Sequence, residues 1–442
     1  MTPNAAHTRR ILALALPIIG GMVSQNVLNL VDTAMVGALG NDALAAVGIA
    51  SFANFALIAF ITGMSAGVQA MASRWLGAGR HGETAVALNG GLLLALSLAV
   101  PWSFVLFFLA PEIVAWLVED ASVAADGGAY LRVRVLGVAA VGMNFAFRGY
   151  WNAVNLSRLY MGTLALMHVI NIFLNWTLIF GNLGAPALGV VGAGVGTTVA
   201  TYVGTVCYFV LGWRHARKAG FLSGVPERAT LATMVRISVP AGTQQFFFAS
   251  GMTAFFWILG RMGTQELAAG HVLVHVMLVA ILPAMGFGLA AASLVGQSLG
   301  EGDRDEAAAW AWRVGRVAML VVGAIGLPVF VFPDAVLGVF IRDAATLDLA
   351  RAPVRVVALS APVEALGMVL MNSHLGAGNT RPVLFVSMAA QWLLFLPAAY
   401  LLGVVFGVGL FAVWLANGGY RMLTLAAFAA LWRGGRWADV KI

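Results

Sequence analysis

Polar residues along the 442-residue chain are sparse and gather in short clusters, leaving long apolar stretches between them. Twelve such stretches emerge, over 11–38, 43–72, 85–110, 128–154, 159–181, 188–213, 232–259, 266–297, 308–332, 348–377, 382–404 and 407–432. Each can cross about 30 Å of hydrocarbon as a helix rising roughly 1.5 Å per residue. A β-barrel would need strands of alternating polarity about ten residues long, and the pattern has none. The first stretch is too long for a removed signal sequence and lacks a small-residue cleavage site before polar sequence, so it reads as an anchor. The pattern predicts an all-α polytopic membrane protein of twelve transmembrane helices.

The chain also repeats itself. Pro17 recurs as Pro240, Gly37 as Gly260, Gly40 as Gly263, Leu44-Ala45-Ala46 as Leu267-Ala268-Ala269 and Gly63 as Gly286, always at an offset of 223. The same register matches Glu83 with Glu306 and, far downstream, Arg158 with Arg381. Shared apolar composition would scatter Leu and Ala matches, but would not align glycines and prolines without gaps. The unit is six helices, an even number, so the two copies are parallel repeats related by an axis along the membrane normal. The expected organisation is a six-helix lobe over 1–213, a cytoplasmic linker over 214–231 and a second lobe over 232–442, the lobes flanking a central cleft. The linker, RHARKAGFLSGVPERATL, is the most polar internal stretch and reads as a topological anchor.

Composition and charge narrow the function. Hydrophobic residues make up 61% and charged residues 10%, against about 25% charged in soluble domains, which argues against a soluble enzyme. Eighteen acids and 25 bases leave a net charge of +7, too slight over this length to suggest nucleic acid as a partner. The one cysteine, Cys207, rules out a disulfide framework and a cysteine-based metal cluster. With a cytoplasmic N-terminus, 19 Lys and Arg, Arg421 counted among them, fall on the cytoplasmic side, and Arg132, Arg134, Arg261, Arg342, Arg351 and Arg355 fall outside. That asymmetry predicts cytoplasmic termini. The acids Glu112, Glu119, Asp120, Asp126, Asp334, Asp343 and Asp348 are expected in outer connections.

Several segments together resemble the MATE (multidrug and toxic compound extrusion) transporters. LALPIIGGMVSQNVLNLVDTAMVGALGNDALAAVG, with Pro17 and Asp32, is similar to the family's first helix and loop. LAAGHV at 267–272 with VGQSLGEGD at 295–303 resembles the eighth helix, and RGYWNAVNLSR at 148–158 and MNSHLGAGNTR at 371–381 resemble turns after helices four and ten. The acid in the first helix suggests the branch named for DNA-damage-inducible protein F. The resemblance implies a transporter rather than an enzyme. It would export amphipathic, often cationic drugs or toxic metabolites by alternating access, from a bacterial inner membrane, as a monomer in lipid, in exchange for protons or sodium ions. No cofactor is expected, and the chain has no G-x-x-x-x-G-K-[ST] phosphate loop.

Asp32 stands first among the candidate residues. A carboxylate in an apolar spanning helix costs about 2.5–3.5 kcal/mol or more, so it should face a cavity with partners. Asn171 and Asn175 lie four apart on one helix face, and the resemblance makes them partners of the first-helix acid, with Thr197 of GAGVGTTV as a further oxygen. The branch's pattern N-I-x-L-D reads NIFLN here, with Asn175 in place of an acid. That substitution leaves a lone carboxylate among neutral amides and favours the proton as coupling ion, with sodium as the alternative. Gln25, Asn29, Tyr202 and Glu364 are candidates to line the substrate cavity, and Pro17 is a candidate point of helix bending. His271 and His275, four apart, lack the third ligand that a metal site would need, so none is expected. Two other readings are a flippase for lipid-linked precursors, which would place several Arg in the cavity, and a membrane-embedded prenyl transferase, which would need D-D-x-x-D clusters. No spanning stretch carries such a cluster.

Overall fold

The computed structural model describes residues 5–442, in which every regular element is helical. The α-helices are α1 (Ala5–Gly37), α2 (Asn41–Ile58), α3 (Met64–Gly77), α4 (Thr84–Leu117), α5 (Ala121–Leu136), α6 (Val138–Ala153), α7 (Ser157–Phe180) and α8 (Gly189–His215). The second half continues with α9 (Arg228–Met262), α10 (Thr264–Gly300), α11 (Arg304–Val331), α12 (Pro333–Leu337), α13 (Ala344–Gly376), α14 (Thr380–Met388), α15 (Leu396–Tyr400) and α16 (Leu410–Arg433). Each predicted stretch coincides with a helix, a pair of helices or, over 382–404, a continuous run of α- and π-helical segments. Nine helical spans among the described residues are long and apolar enough to cross a membrane, and the bent pair α5–α6 makes ten. The other two predicted spans are α9, diluted by Arg236, Gln244 and Gln245, and α16, diluted by Asn417 and Arg421.

Some breaks lie inside predicted spans. The stretch 43–72 is divided between α2 and α3 by a 3-10 turn at Ile61–Gly63. The stretch 128–154 bends by 48° at Gly137. Between Thr380 and Val405 the backbone passes through two π-helical segments, Ala389–Phe395 and Leu401–Val405. The connection after α4 is short, because α4 runs to Leu117, taking in Glu112, and Asp120 already caps α5 by accepting from Ser122 and Val123. Arg421 corrects the charge count. It lies well inside α16 rather than at a helix end, because a buried acid partner described below compensates its charge.

Packing divides the described residues into two compact units. One holds the chain up to Ile19, 77–79 and Thr243–Ile442; the other holds Gly20–Leu76 and Arg80–Gly242. The division therefore cuts α1 and α9 at positions 223 apart, two residues after Pro17 and Pro240. In the second unit, Val36, Ala50, Leu106, Leu131, Val135 and Ala193 share one core. In the first, Phe287, Trp310, Leu370 and Phe428 belong to one core, and Phe255, Leu273, Phe395 and Trp414 to another. The 214–231 stretch is docked rather than loose: Asn89 on α4 donates to the Gly220 carbonyl at 2.8 Å and accepts from the Leu222 N–H at 3.0 Å. Phe221 beside them is 1% exposed.

Candidate functional site

The site grows from the close approach of α8 to α7. Glycine at 192 and 196 lets the helices touch, since a Cβ on Gly192 would lie 2.5 Å from the Leu178 carbonyl oxygen and one on Gly196 2.1 Å from Asn175 Oδ1. Small residues at a spacing of four permit this approach in membrane helices. On its other side α7 receives α1, where Gly21 sits against Tyr160 and Leu164.

Four of the predicted residues meet at this junction. Asn175 uses both amide hydrogens, donating to Asp32 Oδ1 at 2.9 Å and to Asn171 Oδ1 at 3.1 Å. Asn171 donates to Thr197 Oγ1 at 3.0 Å, and Thr197 donates to the Ala193 carbonyl at 2.9 Å. Asn171 and Asn175 are 1% and 0% exposed, whereas Asp32 is half-buried at the edge of the cluster. Asp32 is its one carboxylate. Asn175 Oδ1 is buried with no hydrogen-bond partner, so the cluster retains one unsatisfied acceptor.

The other predicted residues fall elsewhere. Gln25 donates to Asn29 Oδ1 at 3.2 Å, one turn apart on α1. Tyr202 is exposed along its ring and donates its hydroxyl to the Leu136 carbonyl at 2.7 Å, beside the bend at Gly137. Pro17 is buried in α1, which stays helical through it. Glu364 lies in the other packing unit, where Arg421 pairs with it; their side chains are 5% and 10% exposed. Arg421 also reaches Met277 Sδ at 3.5 Å and lies over the Tyr420 ring at 5.2 Å. His271 and His275 are exposed, their ring centroids 4.5 Å apart. Among the described residues no group of three or more His, Cys, Asp or Glu is placed to hold a metal.

Two participants escape a reading of the sequence. Arg421 is one, and the NGGYR interruption of an otherwise apolar stretch was its signal. The other is His168 on α7, 8% exposed, whose Nε2 lies 3.2 Å from Gln25 Oε1. Its signal was its spacing of three and seven from Asn171 and Asn175, which puts all three on one helix face.

Comparison with known proteins agrees with this architecture. The family model MatE matches the chain twice, over 17–177 and 240–401, which reproduces the internal repeat. The chain is similar to a probable multidrug resistance protein NorM of Thermotoga maritima, 24% identical over 414 residues that cover 92% of this chain and 88% of that protein. A probable NorM of Pseudomonas aeruginosa is 27% identical over 436 residues, covering 94% and 88%. Among solved structures, an outward-facing multidrug resistance MATE family transporter of the MOP superfamily superposes with a TM-score of 0.88 at 20% identity, over 98% of this chain and 96% of that one. A MOP superfamily transporter from Pyrococcus furiosus gives 0.87 at 20% identity, over 98% and 96%. At that identity the structural likeness speaks for the fold.

Proposed function

The chain belongs to the MatE family of membrane transporters, and from that premise we propose that it is a secondary active multidrug efflux antiporter, exporting amphipathic, often cationic compounds in exchange for protons. It acts as a transporter and not as an enzyme. The observation that carries the choice of ion is the Asp32–Asn175–Asn171–Thr197 chain, in which a single carboxylate ends a row of neutral donors. A proton needs one titratable oxygen, whereas sodium is better held by several oxygens and more than one negative charge.

With Asp32 ionised, its Oδ1 accepts the Asn175 amide and its charge attracts a cationic drug. A proton from the more acidic outer side adds to Oδ2. The charge is lost, Oδ1 becomes a weaker acceptor and the drug loses its counter-ion, so release outward follows proton uptake. Return of the carboxylate to the cytoplasmic side then discharges the proton. Pro17 supplies the bending point of α1 in this scheme, because it lacks the N–H that would close the backbone ladder and lies just before the point where α1 passes between packing units. The expected setting is a monomer in a bacterial inner membrane with both termini cytoplasmic, and lobes at 1–213 and 232–442 joined by the 214–231 linker.

One observation favours a second reading. The unpartnered Asn175 Oδ1 is an oxygen available to a cation, so Asp32, Asn171, Asn175 and Thr197 form the ligand set of a sodium-coupled alternative. Purified protein in sealed vesicles with a fluorescent cationic dye separates the two. An imposed pH gradient should drive dye movement and a sodium gradient alone should not. Dye movement on sodium alone would overturn the proton reading.

A further inference from the structure

The helix pair α1–α7 carries a second ionisable group. Hydrogen bonds join Gln25 to His168 and Asp32 to Asn175, both at a sequence separation of 143, so the parallel helices hold one register. His168 lies seven residues before Asn175, about 10 Å nearer the start of α7 at roughly 1.5 Å per residue. Gln25 Oε1 can only accept, so His168 Nε2 carries the hydrogen in this bond and Gln25 passes its own hydrogen to Asn29 Oδ1. The neutral ring therefore keeps its lone pair on Nδ1, for which the described residues supply no hydrogen-bond partner.

The repeat indicates what the ring adds. At the offset of 223, Gln25 corresponds to Phe248 and His168 to Gln391. Gln391 donates to the Phe248 carbonyl at 3.3 Å. The second copy thus bridges the equivalent helices with an amide, and Asp32 corresponds there to Phe255, buried among Phe395 and Trp414. A glutamine suffices to tie the two helices. Histidine stands at this place in the copy that also holds the carboxylate.

We propose that His168 is a second proton-binding site of the export cycle, on the cytoplasmic side of Asp32. This rests on the proton-coupled reading above. The proton leaves the Asp32 carboxyl group, restoring the carboxylate, and a proton adds to the lone pair of His168 Nδ1, giving an imidazolium that loses it toward the start of α7. No electron transfer or other co-reactant is involved. The other titratable or charged groups on the elements packed against α7 are Asp32 on α1 from Gly20 onward, Tyr202, Cys207, Tyr208, Arg214 and His215 on α8, and Arg148 and Tyr150 on α6. Asp32 is the one acid among them.

His168→Gln transplants the second repeat's solution, keeping an amide bridge and removing the proton site. In vesicles, export by the natural protein should change by about ten-fold over the roughly two pH units in which a histidine titrates. His168→Gln should change by less than about two-fold over that range, with dye affinity unchanged at alkaline pH, where the natural ring is neutral. Histidine-selective NMR, with the His168 signal identified by its absence from His168→Gln, should show that ring gaining a proton and responding to dye. A His168 signal fixed in one neutral tautomer, or a His168→Gln protein with the natural pH profile, would overturn the inference. Sodium-driven export by the natural protein would overturn the coupling reading instead, and needs no variant to detect.

Discussion

Asn175→Asp tests the logic of the coupling site most sharply, because it changes one atom's chemistry at a position whose geometry is known. Asn175 Nδ2 lies 2.9 Å from Asp32 Oδ1 and donates to it. Aspartate there replaces a donor by an acceptor and adds a second negative charge. Two full charges at 2.9 Å would repel by about 6 kcal/mol at an effective dielectric constant of about 20, and doubling the separation still leaves about 3 kcal/mol. Either value exceeds the ordinary free energy of a side-chain rearrangement. The pair must then share a proton through neutral pH or take up a cation between the two carboxylates. Thermal unfolding of purified protein reads the difference. The variant should gain sodium-dependent stability, approaching about 2.7 kcal/mol at sodium a hundred times its dissociation constant, and the natural protein should gain none beyond a potassium control. Equal sodium stabilisation of both would refute the reasoning, since the neutral oxygens of Asn171, Asn175 and Thr197 would already be holding the ion. A variant that neither responds to sodium nor holds an extra proton at neutral pH would refute it as well, by showing that the two side chains do not interact as drawn.

Further expectations follow from the same geometry. Glu364→Gln or Arg421→Met alone leaves a buried charge unpaired and should lower stability by about 3–5 kcal/mol, whereas the double variant should recover most of the loss; additive losses in a double-mutant thermal cycle would show that the pair is not coupled. Gly196→Ala drives a methyl group into Asn175 and should abolish gradient-driven export, while Gly162→Ala on α7, with nothing within 4 Å of the new methyl, should leave export unchanged in the same vesicle assay. The helix-capping carboxylates Asp120 and Asp343 are held below the usual carboxylate range, chiefly by the Ser122 and Thr346 hydroxyls and then by backbone N–H donors. Their stabilisation should be full above the ordinary aspartate value of about 4 and vanish as pH falls through the lowered native value. The difference in melting temperature between the natural protein and Asp120→Ala or Asp343→Ala should therefore shrink on acidification, and a constant difference would argue against the caps.

Helix number, the duplication and the shared face of Asn171 and Asn175 were legible in the sequence because each rests on a periodic signal, whereas the meeting of Asp32 with that face was implied by the family resemblance alone. Apolar length marks the spans, the 223 offset marks the copies, and a spacing of four marks a helix face. The breaks at Ile61–Gly63, at Gly137 and in the π segments were not, because apolar content is the same on both sides of each. Arg421 was misplaced for a related reason. Positive charges in apolar chains are assigned to membrane edges unless a partner is known, and Glu364 lies 57 residues away. His168 was marked only by its place on the Asn171–Asn175 face of an apolar helix. Its meaning depends on Gln25, 143 residues distant, and on the contrast with Gln391 in the other copy.

The central claim is that Asp32 exchanges a proton against the drug. Proton release on dye binding, measured with purified protein in weakly buffered solution, tests it most directly. The natural protein should release protons in proportion to dye bound at a pH where part of the Asp32 population is protonated, and Asp32→Asn, folded and purified alongside it, should lose the Asp32 share of that release. Binding without proton release by the natural protein, or equal release by Asp32→Asn, would contradict the account.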